Sequence, residues 1–151
     1  AFEKLVEAEC AAALAPSPIR RLAALLPPEP KAAAQVAARL RLSGAQKKRL
    51  ASAADRGAPP GDARALAYRL GRDEAIDRLL LAGENPAPIA DWAIPALPLK
   101  GGEIVARGIA AGPEVACILR AVEARWIAEG FPGRDRTMAL LTEEIDRRST
   151  A

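Results

Sequence analysis

Three observations predict an all-α fold for this chain, an irregular array of about nine short-to-medium helices joined by Pro/Gly-rich turns. Ala and Leu dominate, and only 17 of 151 residues are β-branched (nine Ile, five Val, three Thr), so the intrinsic bias runs toward helix. Apolar residues recur at three- and four-residue spacing over most of the chain. Proline and glycine punctuate the intervals between these periodic stretches.

In order, Phe2, Leu5, Val6, Cys10 and Leu14 share one face of a first helix, which Pro16 ends. Ser17-Pro18 then supplies an N-cap and a proline suited to the first helical position, with Ile19, Leu22, Ala23 and Leu26 as the buried stripe of the second helix. After the stiff Pro27–Pro30 turn, a third helix over roughly 31–41 carries Ala32, Val36 and Leu40 at four-residue spacing. Ser43 and Gln46 form a capping box that opens the next helix, with Leu50, Ala53 and Ala54 inward. Gly57 to Gly61 breaks the chain. Asp62 caps a helix bearing Ala63, Leu66, Ala67 and Leu70, which Gly71 stops in the left-handed conformation. Asp73 through Leu81 forms another, with Ile76, Leu79 and Leu80 inward. Between Gly83 and Pro98 only Ile89–Ile94 is free of proline and able to turn helically. Beyond lie a short helix near Glu103–Arg107, a long one over Pro113–Glu129 with Val115, Ile118, Leu119, Val122 and Trp126 on its stripe, and a last one over Arg136–Arg148. The organisation expected is a helical body at 1–82, a Pro-rich connector at 83–98 and a helical tail at 99–151.

Cys10 and Cys117 each fall on an apolar stripe and read as buried free thiols rather than a disulfide or metal pair. The chain has no histidine, so a zinc site would lack ligands. No run of about 18 apolar residues occurs and no basic-then-apolar leader opens the chain, which predicts a cytoplasmic protein. Helical periodicity starts at Ala1 with no Met and no capping residue ahead of it, as in a piece of a longer polypeptide.

The net charge of +3 is unevenly spread. From Arg39 to Arg72 nine basic residues (Arg39, Arg41, Lys47, Lys48, Arg49, Arg56, Arg64, Arg69, Arg72) face two acidic ones, Asp55 and Asp62. Such a cluster suits phosphate, because Lys and Arg release the counterions condensed on nucleic acid; it also suits an ordinary solvated helix face. Arg64 and Tyr68, four apart, either offer a cation and a ring to RNA or pack on each other. Glu7, Glu9, Glu143, Glu144 and Asp146 lie in amphipathic patterns and read as solvated faces.

Near the C-terminus, Gly101-Gly102 and Gly108 to Gly112-Pro113 describe two sharp turns flanking a short helix. The second opens a helix whose unpaired amides, with Lys100 nearby, could hold an anion. Alternatively, these glycines let helices cross closely, with Glu114 already complementing the helix start. Trp126 and Phe131 read as core anchors rather than base-stacking platforms.

The stretches Leu97–Val115 and Trp126–Phe131 resemble a signature near the C-terminus of bacterial class II tRNA nucleotidyltransferases, the CCA-adding and poly(A) polymerase family, of the α-proteobacterial type. Arg39–Ser43 and Ala67–Gly71 are similar to family segments in the same order. The resemblance implies that the chain is the helical body and tail that hold tRNA, while an N-terminal head on the same polypeptide adds CCA or A to the RNA 3′ end with Mg²⁺ and ATP or CTP. It implies an RNA-binding set of Arg39, Arg41, Lys48, Arg49, Arg56, Arg64, Tyr68, Arg72, Lys100, Gly101 and Gly102.

No Asp-x-Asp pair occurs, and Arg72–Arg78 does not fit the family's Glu-Asp-x-x-Arg nucleotide-reading motif. Two-metal nucleotidyl transfer needs carboxylates placed together, so the chain by itself is expected to be inactive, with no catalytic residue, metal or cofactor of its own. Two other functions compete. One is a helical DNA-binding module with a helix–hairpin–helix-like turn at Glu103–Glu114. The other is a protein-interaction scaffold whose basic cluster is incidental.

Overall fold

The computed structural model describes residues 1–56 and 61–150, and among them it is all-helical, with ten helices and no strand. Of the expected break at Gly57 to Gly61, all but Gly61 lies outside the described residues. Two compact units divide at Ile94 and Pro95, inside the Pro-rich stretch.

The first unit holds α1 (Phe2–Ala11), α2 (Pro18–Leu25), α3 (Pro30–Arg39), α4 (Gly44–Ala54), α5 (Ala63–Leu70), α6 (Arg72–Ala82) and α7 (Ala87–Ala90). Ser17 accepts from the Arg20 N–H, Ser43 and Gln46 bond reciprocally, and Asp62 accepts from the N–H groups of Arg64 and Ala65, so three helix starts are fixed by the side chains the sequence places there. Helix α4 packs on α2, α3 and α6, while α6 also receives α1, α5 and α7. Two apolar clusters result. Ala23, Ala33, Ala37, Leu50, Ala53 and Ala54 join α2, α3 and α4, where alanine lets the helices approach closely. Leu5, Ala67, Ile76, Leu79, Leu80 and Ile89 centre on α6.

The second unit holds α8 (Gly101–Val105), α9 (Pro113–Ala128) and α10 (Arg134–Ser149), with α9 packed on both others. Its core is Leu99, Ile104, Ile118, Val122, Trp126, Ile127, Leu140 and Leu141. Trp126 meets Phe131 edge-to-face at 4.9 Å and donates its Nε1–H to the Pro132 carbonyl at 2.7 Å, so it is a core anchor.

Several expectations are corrected. Cys10 and Cys117 are exposed. Helix α1 buries Leu5 and Glu9, and α9 buries Ile118, Val122 and Trp126; each cysteine lies one residue off its buried line, about 100° around the helix. The buried stripe of α3 is Ala33 and Ala37, leaving Leu40 56% exposed where the helix ends. Gly101 and Gly102 open α8 in its first turn and form no sharp turn, whereas Gly108 and Gly112 do take positive φ, 90° and 152°. Gly71 also has positive φ, 91°, but with ψ 160° it lies outside the left-handed helical region while joining α5 to α6. Glu9 and Glu144, read as solvated, are fully buried.

Four helix ends share one hydrogen-bond pattern. After α6, the Gly83 N–H reaches the Leu80 carbonyl and the Glu84 N–H the Leu79 carbonyl, with Gly83 left-handed at φ 78°. The same pair of bonds closes α9 through Gly130, α1 through Ala13 and α3 through Arg41. Ala13 (φ 52°) and Arg41 (φ 51°) adopt this conformation without being glycine.

Candidate nucleic-acid interface

Eight of the nine basic residues from Arg39 to Arg72 separate into two groups, and the ninth, Arg69, is exposed on α5. Arg39, Arg41, Lys47 and Lys48 surround the α3–α4 turn and are all exposed. Among the described residues no ion pair engages Arg39, Arg41 or Lys47, and Lys48 comes within 4.0 Å of Glu74 while remaining 80% exposed at its side chain. No acidic residue lies between Arg39 and Lys48. The turn thus presents four positive charges to solvent, with Arg41 held in its left-handed conformation by the end of α3.

The second group is engaged within the fold. Arg49 donates through Nε and Nη2 to Asp77 at 2.6 and 3.0 Å, and this pairing raises its pKa. Arg56 is half-buried, donates Nη2 to the Ala23 carbonyl at 2.5 Å and leaves Nε buried without a partner among the described residues; burial pushes its pKa down. Arg64 is exposed but stacks its guanidinium over the Trp92 ring at 5.5 Å. Tyr68 is half-buried rather than exposed, since α5 packs on α6 and α7. Arg72 is exposed and donates to the Trp92 carbonyl at 2.5 Å.

In the second unit, Lys100 is exposed at the start of α8 and gives its backbone N–H to Glu103 at 2.9 Å. Glu103 also pairs with Arg134, and these bonds hold its carboxyl below the usual range. Gly101 lies beside Val115, where a Cβ would meet Cγ1 at 3.4 Å, and Gly102 faces open space.

Sequence reasoning missed a buried charged network in the first unit. Arg20, 4% exposed, donates Nε to Asp77 at 2.7 Å and Nη1 to Glu9 at 2.6 Å. Glu9 also accepts from Arg21 at 3.0 Å and from the Ser17 N–H at 3.4 Å. Burial alone would raise the Glu9 pKa; the hydrogen bonds from Arg21, Arg20 and Ser17 outweigh it and hold the carboxyl below its ordinary value. Glu144 in the second unit shows the same balance, its buried carboxylate accepting from Arg148 at 2.7 Å and Arg147 at 2.5 Å. A signal existed: Glu9 is four residues after Leu5, Arg20 is three and four before Ala23 and Ala24, and Glu144 is three and four after Leu141 and Leu140. Each charge stands on the line of a buried stripe.

Among the described residues no group of three or more Cys, Asp or Glu side chains is placed to hold a metal ion, and no helix is long and apolar enough to cross a membrane. Comparison with known proteins gives no matching family model, no matching curated protein and no matching solved structure.

Proposed function

We propose that this chain is an RNA-holding portion of a tRNA nucleotidyltransferase of the CCA-adding or poly(A) polymerase kind, gripping tRNA phosphates while an N-terminal head on the same polypeptide, using Mg²⁺ and ATP or CTP, extends the 3′ end. The observation that carries this reading is the α3–α4 turn, where Arg39, Arg41, Lys47 and Lys48 stand exposed with no acidic residue among them. Unpaired surface cations give up little internal stabilisation when they meet phosphate, and each contact gains from counterion release. Arg49 and Arg56 contribute differently from the outer cations, since their guanidinium groups already serve Asp77 and the Ala23 carbonyl. A grip through phosphates and duplex shape predicts little dependence on tRNA sequence.

The test is fluorescence anisotropy of labelled tRNA against the chain at several salt concentrations, with a DNA duplex of equal length as competitor. Arg39→Ala with Lys47→Ala should weaken binding uniformly across tRNA species and lower the salt slope by roughly one to two units, at about 0.7–0.9 per phosphate contact. Equal displacement by DNA would favour the helix–hairpin–helix alternative, and binding of neither with a steep salt slope would favour the scaffold.

A further inference from the structure

A cleft of about 390 Å³ opens at the start of α2, with Ser17, Pro18, Arg20, Arg49, Asp73 and Ile76 among its lining residues. An adjoining depression of about 300 Å³ shares Ser17, Pro18 and Arg49 and adds Ala45 and Gln46 from α4. Both lie wholly within the first unit. We propose that this cleft binds the oxyanion of a singly charged phosphate group, at a site that adjoins the α3–α4 turn but does not use its four exposed cations.

The guanidinium groups are its core. Arg20 spends Nε on Asp77 and Nη1 on Glu9, and its Nη2 has no hydrogen-bond partner among the described residues although the side chain is 5% exposed. Arg20 lines the cleft with the small part of its side chain that is exposed. Arg49 spends Nε and Nη2 on Asp77, leaving Nη1 without a partner among the described residues. Asp77, buried behind both, fixes two planar forks at once, and each fork retains an Nη group for an incoming acceptor. Donors fixed in advance in this way lose little entropy on binding. The N-terminal end of α2 adds its partial positive charge at the Ser17-Pro18 rim.

Charge balance limits the ligand. Arg20, Arg21, Arg49 and Lys48 are offset by Glu9, Asp77, the cleft-lining Asp73 and Glu74, so recognition comes from the free Nη donors rather than from a net field. Asp73 opposes any anion, and a dianion about twice as strongly as a single charge, so the singly charged form is the one this cleft takes. Such a group occurs in a nucleic-acid backbone phosphodiester and in free monobasic phosphate, two sources of one chemistry.

The test uses the ¹⁵N-labelled chain and the Nε–H resonances of Arg20 and Arg49, assigned with Arg49→Lys. Inorganic phosphate, and separately a short single-stranded RNA without terminal phosphates, are titrated at constant ionic strength. Saturable shifts of both resonances are expected. Ala45→Glu sets a carboxylate at the mouth, in the first turn of α4 where acidic residues favour the helix, and should weaken the response about tenfold, the cost of opposing a charge-assisted contact. Asp73→Asn, at an exposed position, should tighten it. Saturation by phosphate alone assigns the free anion, and saturation by RNA at lower concentration assigns the backbone. Shifts that never saturate, or that are unchanged in both variants, overturn the proposal. Loss of tRNA binding in the Arg39/Lys47 double variant with these shifts intact would bear on the α3–α4 turn alone, so the two proposals fail separately.

Discussion

Replacing Asp77 by alanine removes the acceptor of three charge-assisted hydrogen bonds, one from Arg20 and two from Arg49, at a site with no solvent exposure. The two arginines respond differently. Arg49 is 28% exposed at its side chain and can turn to water, whereas Arg20 is 5% exposed and keeps only Glu9. Taking one partner from a buried ion pair costs about 3–5 kcal/mol because it strands the other charge, a large share of the roughly 5–15 kcal/mol by which a domain is stable. Urea unfolding followed by far-UV circular dichroism should show the midpoint falling by roughly 2–3 M if the slope is about 1.5 kcal/mol per M. Adding Arg20→Met removes the stranded charge and fills the space with an apolar chain, while Glu9 keeps Arg21 and the Ser17 N–H. The double variant should therefore regain a substantial part of the loss. A cost for Asp77→Ala below about 1 kcal/mol, the level of an exposed pair, or a double variant no more stable than the single, would refute the reasoning.

Acid should destabilise the chain in a definite window. Glu9 and Glu144 have folded pKa values held below their ordinary 4.5, so their contribution is complete above about that pH and is lost as pH falls through the lower folded values. The urea midpoint should stay nearly level from pH 7 to 5 and drop below it, less steeply in Glu9→Gln; a midpoint unchanged down to pH 3 would remove both carboxylates from the account. Arg41→Gly should raise stability by about 0.5–1 kcal/mol, the relief of a left-handed residue (1–2 kcal/mol) less the extra backbone entropy of glycine. The same change should weaken tRNA binding, and stability and affinity falling together would mean that Arg41 is held there for packing.

The helices themselves were legible because their signals are local. Ser17, Ser43 and Asp62 each cap the helix they precede, and Leu50, Ala53 and Ala54 are buried as their spacing requires. The candidate interface was legible only as a charge excess along the chain. Which cations face solvent depends on partners far away in sequence: Asp77 lies 28 residues from Arg49, and Ala23 lies 33 from Arg56. Cys10 was misplaced for a related reason, since a helix stripe read from apolar residues alone rotates when a charged residue such as Glu9 joins the buried line, whereas Cys117 simply lies one residue off the apolar line of Ile118, Val122 and Trp126.

By itself the sequence determined the helical class, the capped starts of α2, α4 and α5, and the concentration of positive charge between Arg39 and Arg72, all of which rest on neighbours within a few residues, whereas α1 ends at Ala11 short of Pro16 and the helix of the Pro-rich stretch runs Ala87–Ala90 rather than over 89–94. The tertiary structure alone decided that Glu9, Arg20, Asp77 and Glu144 are interior charges and that Arg39, Arg41 and Lys47 are outward ones. A charged side chain on an amphipathic helix is equally compatible with water or with a counter-ion, and only the arrival of that counter-ion on another element or turn offsets its desolvation and fixes which it meets.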